Sequence, residues 1–224
     1  MSQSKLRPQQ PGSGASAGLR IIPQRKGNEV VLTIRREIGA PARSVYVDYV
    51  SVTTSSGDVS LIFGKLRPKL FSPESARPTL RFLIEVSFPK IRFCEQFDAL
   101  VREPQDGQPP FFESLERSVG SFPVQDITKL PTPELTGNGQ EYAGIRANTA
   151  YFYLQDEEAC LDFFYLDAAT VHSMRDKGAG PAPIPGLLRV ILTPPMLLSL
   201  LRQCRVVAAE LAGKSLSEID HADH

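Results

Sequence analysis

The sequence predicts an α+β protein built from two related βββα units, each an antiparallel sheet covered by a helix on one face. Three observations predict it. Apolar residues alternate with polar ones in short runs rich in Val, Ile, Tyr and Phe, which is strand patterning. Two leucine- or phenylalanine-rich segments after a Ser/Thr-x-Pro start carry the wider spacing of a helix. The order strand, strand, strand, helix then occurs twice, about a hundred residues apart.

The chain opens with residues 1–18, rich in Ser, Gln, Gly and Pro and poor in large apolar side chains, which predicts a disordered leader. Its basic residues, Lys5 and Arg7, and Arg20, Arg25 and Lys26 beyond them, lack interleaved aromatic residues, so a solvated tail is preferred to a nucleic-acid arm. Residues 19–103 form the first unit with one extra strand at its start, EVVLTIRREI from Glu29, closed by Gly39 and Pro41. In SVYVDYVSV, from Ser44, the alternation slips between Tyr49 and Val50. The turn Ser55 to Asp58 then leads into VSLIFGKL, giving a hairpin. LRFLIEV supplies the third strand, with Phe82, Ile84 and Val86 on one face. Ser87 is expected to cap a helix starting near Pro89, with Ile91, Cys94, Phe97 and Val101 inward.

Residues 104–143 are a proline-rich connection holding one short helix near Phe112 to Val119. Its apolar side chains need cover, either from the flanking units or from a partner; Phe111, Phe112 and Phe122 are the candidate partner-binding residues. Residues 144–213 form the second unit. Phe152, Ala159, Leu161, Phe163 and Leu166 fall 100 positions after Val52, Val59, Leu61, Phe63 and Leu66. In the third strand, Leu188, Val190 and Leu192 are matched to Phe82, Ile84 and Val86 at an offset of 106. Thr193 with Pro194 starts the last helix, whose inward face is Leu197, Leu200, Leu201, Cys204, Ala208 and Leu211 and whose stop is Gly213. Residues 214–224 read as a flexible tail. A unit of three strands and one helix is too small to stand alone, so the copies should pack together or oligomerise.

LDFF at Leu161 to Phe164 and RVILTP at Arg189 to Pro194, followed by a leucine-rich helix, resemble a small uncharacterised bacterial domain family with an LDF hairpin strand and an RVVLSP helix start. That family is in turn similar to the SecB-type export chaperones. The likeness covers about a third of the chain, and the first copy departs from it, with LIFG and EVSFP in the corresponding places. It implies a fold and a tendency to associate, and brings no catalytic residues.

Composition excludes some classes. The chain of 224 residues holds 25 basic and 25 acidic residues, so no global field favours nucleic acid or anionic membrane. No apolar run reaches the ~20 residues of a membrane span, and the start lacks the apolar core of a signal peptide, which predicts a cytoplasmic protein. Cys94, Cys160 and Cys204 stand singly in apolar contexts and read as core thiols. His172, His221 and His224 are the only histidines; Asp220, His221, Asp223 and His224 lie in the tail without a framework for a metal. Asp156, Glu157 and Glu158 sit at a hairpin tip, where acids are normally solvated. Asp162 faces away from Leu161 and Phe163 and is expected to be solvated or paired with an arginine rather than to act as a base. GAG at Gly178 to Gly180 runs into PAPIPG, which cannot cradle phosphate, and the whole loop is expected to be an exposed connection.

The sequence therefore points to a non-catalytic protein without cofactor or metal, binding or scaffolding another polypeptide, chaperone-like and oligomeric, its partners including itself. Two alternatives stay open: a subunit of a nucleic-acid-binding defence or mobile-element complex, using Arg35, Arg36, Lys65, Arg67 and Lys69, and an enzyme of unrecognised type using His172 or Asp162.

Overall fold

A computed structural model describes residues 18–26, 29–37, 43–67, 79–102, 110–119, 134–135, 143–155, 157–177 and 182–213. Residues 1–17 of the expected 1–18 leader, Asp156, Phe122 and the 214–224 tail with its Asp and His residues lie outside them, as do Lys69 and Gly178 to Gly180; Gly18 itself belongs to a strand. The fold is α+β, with four helices among the described residues packed against antiparallel and mixed sheets.

Strands β4 (Tyr49–Thr54), β5 (Asp58–Arg67) and β6 (Thr79–Pro89) pair antiparallel in order and lead into helix α1 (Lys90–Arg102). Strands β9 (Thr149–Gln155), β10 (Glu158–Phe164) and β12 (Leu188–Leu192) do the same and lead into α4 (Pro194–Leu211). The registers coincide: Val50 opposes Phe63 and Val52 opposes Leu61, as Ala150 opposes Phe163 and Phe152 opposes Leu161. In the third strand Val59, Leu61 and Phe63 meet Phe88, Val86 and Ile84, while Ala159, Leu161 and Phe163 meet Leu192, Val190 and Leu188. The third-strand counterparts are therefore Ile84 with Leu188, Val86 with Val190 and Phe88 with Leu192. This corrects the expected matching by two residues. The cause is that Pro89 still belongs to β6, whereas Pro194 opens α4; separately, a register shift between Phe63 and Gly64 leaves Leu83 as an extra residue in β6.

The short strands that precede each hairpin were not foreseen, nor was the two-residue β7 (Glu134–Leu135), which pairs in parallel with β6. Strand β3 (Ser44–Tyr46) pairs in parallel with β12 of the other half, and β8 (Ala143–Arg146) pairs in parallel with β6. Each then bends into the next strand through two residues with matching bonds. Val47 N–H donates to Ile191 O at 3.0 Å, and Ala147 N–H to Ser87 O at 3.0 Å. Asp48 Oδ1 accepts from Leu66 N–H at 2.6 Å, and Asn148 Oδ1 from Leu166 N–H at 2.7 Å. The bend explains the slip of alternation after Tyr49: the strand leaves one sheet and enters the other. Arg146 also reaches Asp58 at 3.3 Å across the halves.

One core results. Val59, Leu61, Phe63, Ile84 and Val86 of the first half and Leu161, Phe163, Leu188, Val190 and Leu197 of the second join in a single buried cluster. Rings cross the boundary, with Phe163 centred 5.9 Å from both Phe63 and Phe88. Helix α4 packs on β4, and α1 on β5, β6 and β9; the Gln96 side chain of α1 accepts the Ala150 N–H of β9 at 3.0 Å. Helix α2 (Phe111–Val119), foreseen within a residue, lies against α1 and α4.

Helix details differ from expectation. Ser87 is paired within β6 and does not cap α1. Among the described side chains of α1, Phe93 and Phe97, one turn apart, are buried, which turns Ile91 out to 74% exposure; Val101 lies outside them. Thr193 occupies the N-cap position of α4 in extended conformation without a side-chain bond, so Pro194 and Pro195 set the start by fixing φ. Leu197, Leu200, Leu201 and Cys204 are buried as expected, Leu211 is exposed, and Gly213 at φ 70° ends the helix.

A three-stranded antiparallel sheet completes the fold, in the order β11 (Ala182–Pro185), β1 (Gly18–Lys26), β2 (Glu29–Glu37). Only β2 was expected. The segment around PAPIP, expected to be an exposed connection, is an edge strand whose Ile184 joins Leu19, Ile21, Phe164 and Met174 in a second small core. Its prolines are tolerated because an edge strand needs no ladder donor on its open side. Pro23 is tolerated for the same reason, since β11 covers β1 only from Gly18 to Ile21. Helix α3 (Ala168–Lys177) supplies Met174 beneath this sheet.

Gly64 marks the register shift. A Cβ there would lie 2.8 Å from Arg81 O and 2.8 Å from Leu80 Cδ1. Gly64→Ala is expected to lower stability by about 1–3 kcal/mol, read as a lower urea midpoint at unchanged slope.

Candidate functional site

Two places combine chemistry with position. The first is on the face of β9, β10 and β12 turned away from the main core, which also carries Phe164 of the second core. Register puts Asp162 opposite Arg189 and Cys160 opposite Tyr153. Arg189 donates from Nε to Asp162 Oδ1 at 2.6 Å and from Nη2 to Oδ2 at 2.9 Å, a two-pronged pair with its carboxylate almost wholly buried. The guanidinium also lies 5.6 Å from the centre of the Tyr153 ring. Hydrogen bonding to Asp162, opposed by burial, raises the Arg189 pKa above its ordinary value. The arginine-paired reading of Asp162 therefore holds; the carboxylate is engaged by a fixed cation. The corresponding positions in the first half are Ile62 and Glu85, so the pair belongs to one half alone.

Burial pushes the Cys160 thiol up, against the lowering effect of a hydrogen bond to Tyr153, and pushes the Cys204 thiol well above its ordinary value of 9.0. Both thiols stay protonated near neutrality, the form that is a poor nucleophile. For Cys204 the unfolded chain releases its proton first, at about the ordinary value, while the fold still holds it. The contribution is fully present below that pH and is lost as pH rises through the folded value. Urea unfolding across that alkaline range should show stability falling, and falling less steeply in Cys204→Ala.

The second place is the open edge of β2. Among the described residues this nine-residue strand pairs only with β1, so its far side has no described strand partner. Val31 and Ile34 are exposed on it, at 39% and 38%. Val31, Thr33 and Arg35 share one face of the sheet, with Arg35 directly opposite Arg20. Like charges so placed destabilise a sheet. Lys65 opposite Arg81 on β5 and β6 is a second exposed pair of this kind.

Of the residues singled out from sequence, Phe112 is buried beneath Arg205 and Phe111 is half-buried against the same core, so both are occupied by the chain's own α2 packing. Phe122 lies outside the described residues. His172 is exposed on α3. Among the described residues no cluster of three His, Cys, Asp or Glu could hold a metal, and no helix is long and apolar enough to cross a membrane. Sequence reading singled out Arg35 for its charge but missed the β2 edge; Val31 and Ile34 next to paired arginines were the available signal. Compared with protein-family models, characterised proteins and solved structures, the chain matches none.

Proposed function

We propose that this chain is a non-catalytic binding protein that holds another polypeptide by adding it as a strand to the edge of β2, in the manner of a scaffold or holding chaperone. The observation that carries the reading is the length and exposure of that edge: nine residues, two exposed aliphatic side chains, and a hairpin anchored through β1 to the second core. The engagement of Asp162 by Arg189 and the protonated thiols favour binding over catalysis.

The test is aggregation of a reduced, unfolded client followed by light scattering. The protein should suppress scattering with little dependence on salt, and Val31→Lys with Ile34→Lys should abolish the effect. No suppression by the parent chain would overturn the reading. A second reading, a subunit of a nucleic-acid complex, is favoured by the two like-charge pairs Arg20/Arg35 and Lys65/Arg81. It predicts oligonucleotide binding that weakens steeply as salt rises.

A further inference from the structure

We propose that, when no client is present, the strand received by the β2 edge is that of a second copy of this chain, which pairs through its own β2 to make a two-fold dimer with a continuous six-stranded sheet and competes with a client for the edge. The inference rests on the strand-accepting reading of this edge and names its occupant.

Symmetry restricts the registers. A two-fold axis normal to the sheet keeps each side chain on its own face, so antiparallel β2 strands can oppose only residues on the same face. Centring the axis on Leu32 puts Val30 opposite Ile34, Val31 opposite Thr33 and Leu32 opposite itself, so the exposed Val31 and Ile34 gain apolar or β-branched neighbours. The same register sets position 29, a glutamate, opposite position 35, an arginine. Centring on Thr33 instead keeps an apolar match of Leu32 with Ile34 but opposes Glu29 to Glu37 and Val31 to Arg35, which sets like charges together and leaves Val31 against a cation. Charge complementarity selects the first. A three-stranded sheet with a short proline-bearing strand on one edge gains its further strands on the other.

Cysteine scanning tests both the occupant and the register. In Leu32→Cys the introduced thiol faces that of the second copy across the axis, with Cα atoms within about 4.5–5.5 Å of each other, inside disulfide range. Under mild oxidation Leu32→Cys should cross-link to a covalent dimer, beyond any seen with the parent chain. Val31→Cys and Thr33→Cys should each cross-link poorly alone and efficiently when mixed. Sedimentation of the parent chain should show a concentration-dependent dimer that Val31→Lys with Ile34→Lys converts to monomer while far-ultraviolet circular dichroism stays unchanged. A parent chain that is monomeric throughout, or a dimer unaffected by these changes, would overturn the inference. If the monomeric chain still suppresses client aggregation through β2, only the identity of the occupant is lost; if neither occurs, the strand-accepting reading falls with it.

Discussion

Arg189→Ala should lower the stability of the fold by about 3–5 kcal/mol, because it leaves the Asp162 carboxylate buried without its cation. The side chain of Asp162 is 2% exposed and that of Arg189 is 14% exposed, so water cannot substitute for the lost partner. The loss should appear as a lower denaturant midpoint. Replacing both partners, as Asp162→Leu with Arg189→Met, should recover most of it, since an apolar pair of similar volume removes the cost of taking two charges out of water. If Arg189→Ala were nearly neutral, the carboxylate would have to be hydrated in solution.

Phe163→Ala should cost about 3–5 kcal/mol and should do so for the whole chain at once. Phe163 is fully buried, and its ring lies against Phe63 and Phe88 of the other half. Strands β3 and β8 each pair across the halves as well, so neither half keeps a complete sheet without the other. Thermal unfolding followed by near- and far-ultraviolet circular dichroism should give one coincident transition, moved to lower temperature by the substitution. Two separate transitions, with only one displaced, would contradict the single shared core.

The hairpins, the third strands and the final helix were legible because each carries its own local signal: alternation in Val59, Leu61 and Phe63, turn chemistry at Ser55 to Asp58, and a proline start at Pro194. What escaped depends on distant contacts. Strand β3 is three residues long, and nothing in SVY announces a partner at Arg189 to Ile191. Strand β1 was hidden by Pro23 and its basic residues, and β11 by two prolines that are harmless only on an edge. The third-strand matching fell two positions off because Pro89, read as a helix start, still belongs to β6, whereas Pro194 does open α4. For the same reason Ser87, a good cap by type, is spent in β6 opposite Ser60, where the two hydroxyl oxygens lie 3.4 Å apart. At the candidate site, Asp162 was legible as a carboxylate facing away from the core, and its pairing followed from strand register. The β2 edge required knowing which strands lie beside it.

The measurement that bears most directly on the proposed function is amide hydrogen exchange of the protein, alone at low concentration and with an excess of the unfolded client. Protection gained on binding should centre on residues 29–37, with exchange around Lys65 and Arg81 unchanged. Protection that appears elsewhere while β2 exchanges as before would contradict strand addition at this edge as the basis of function.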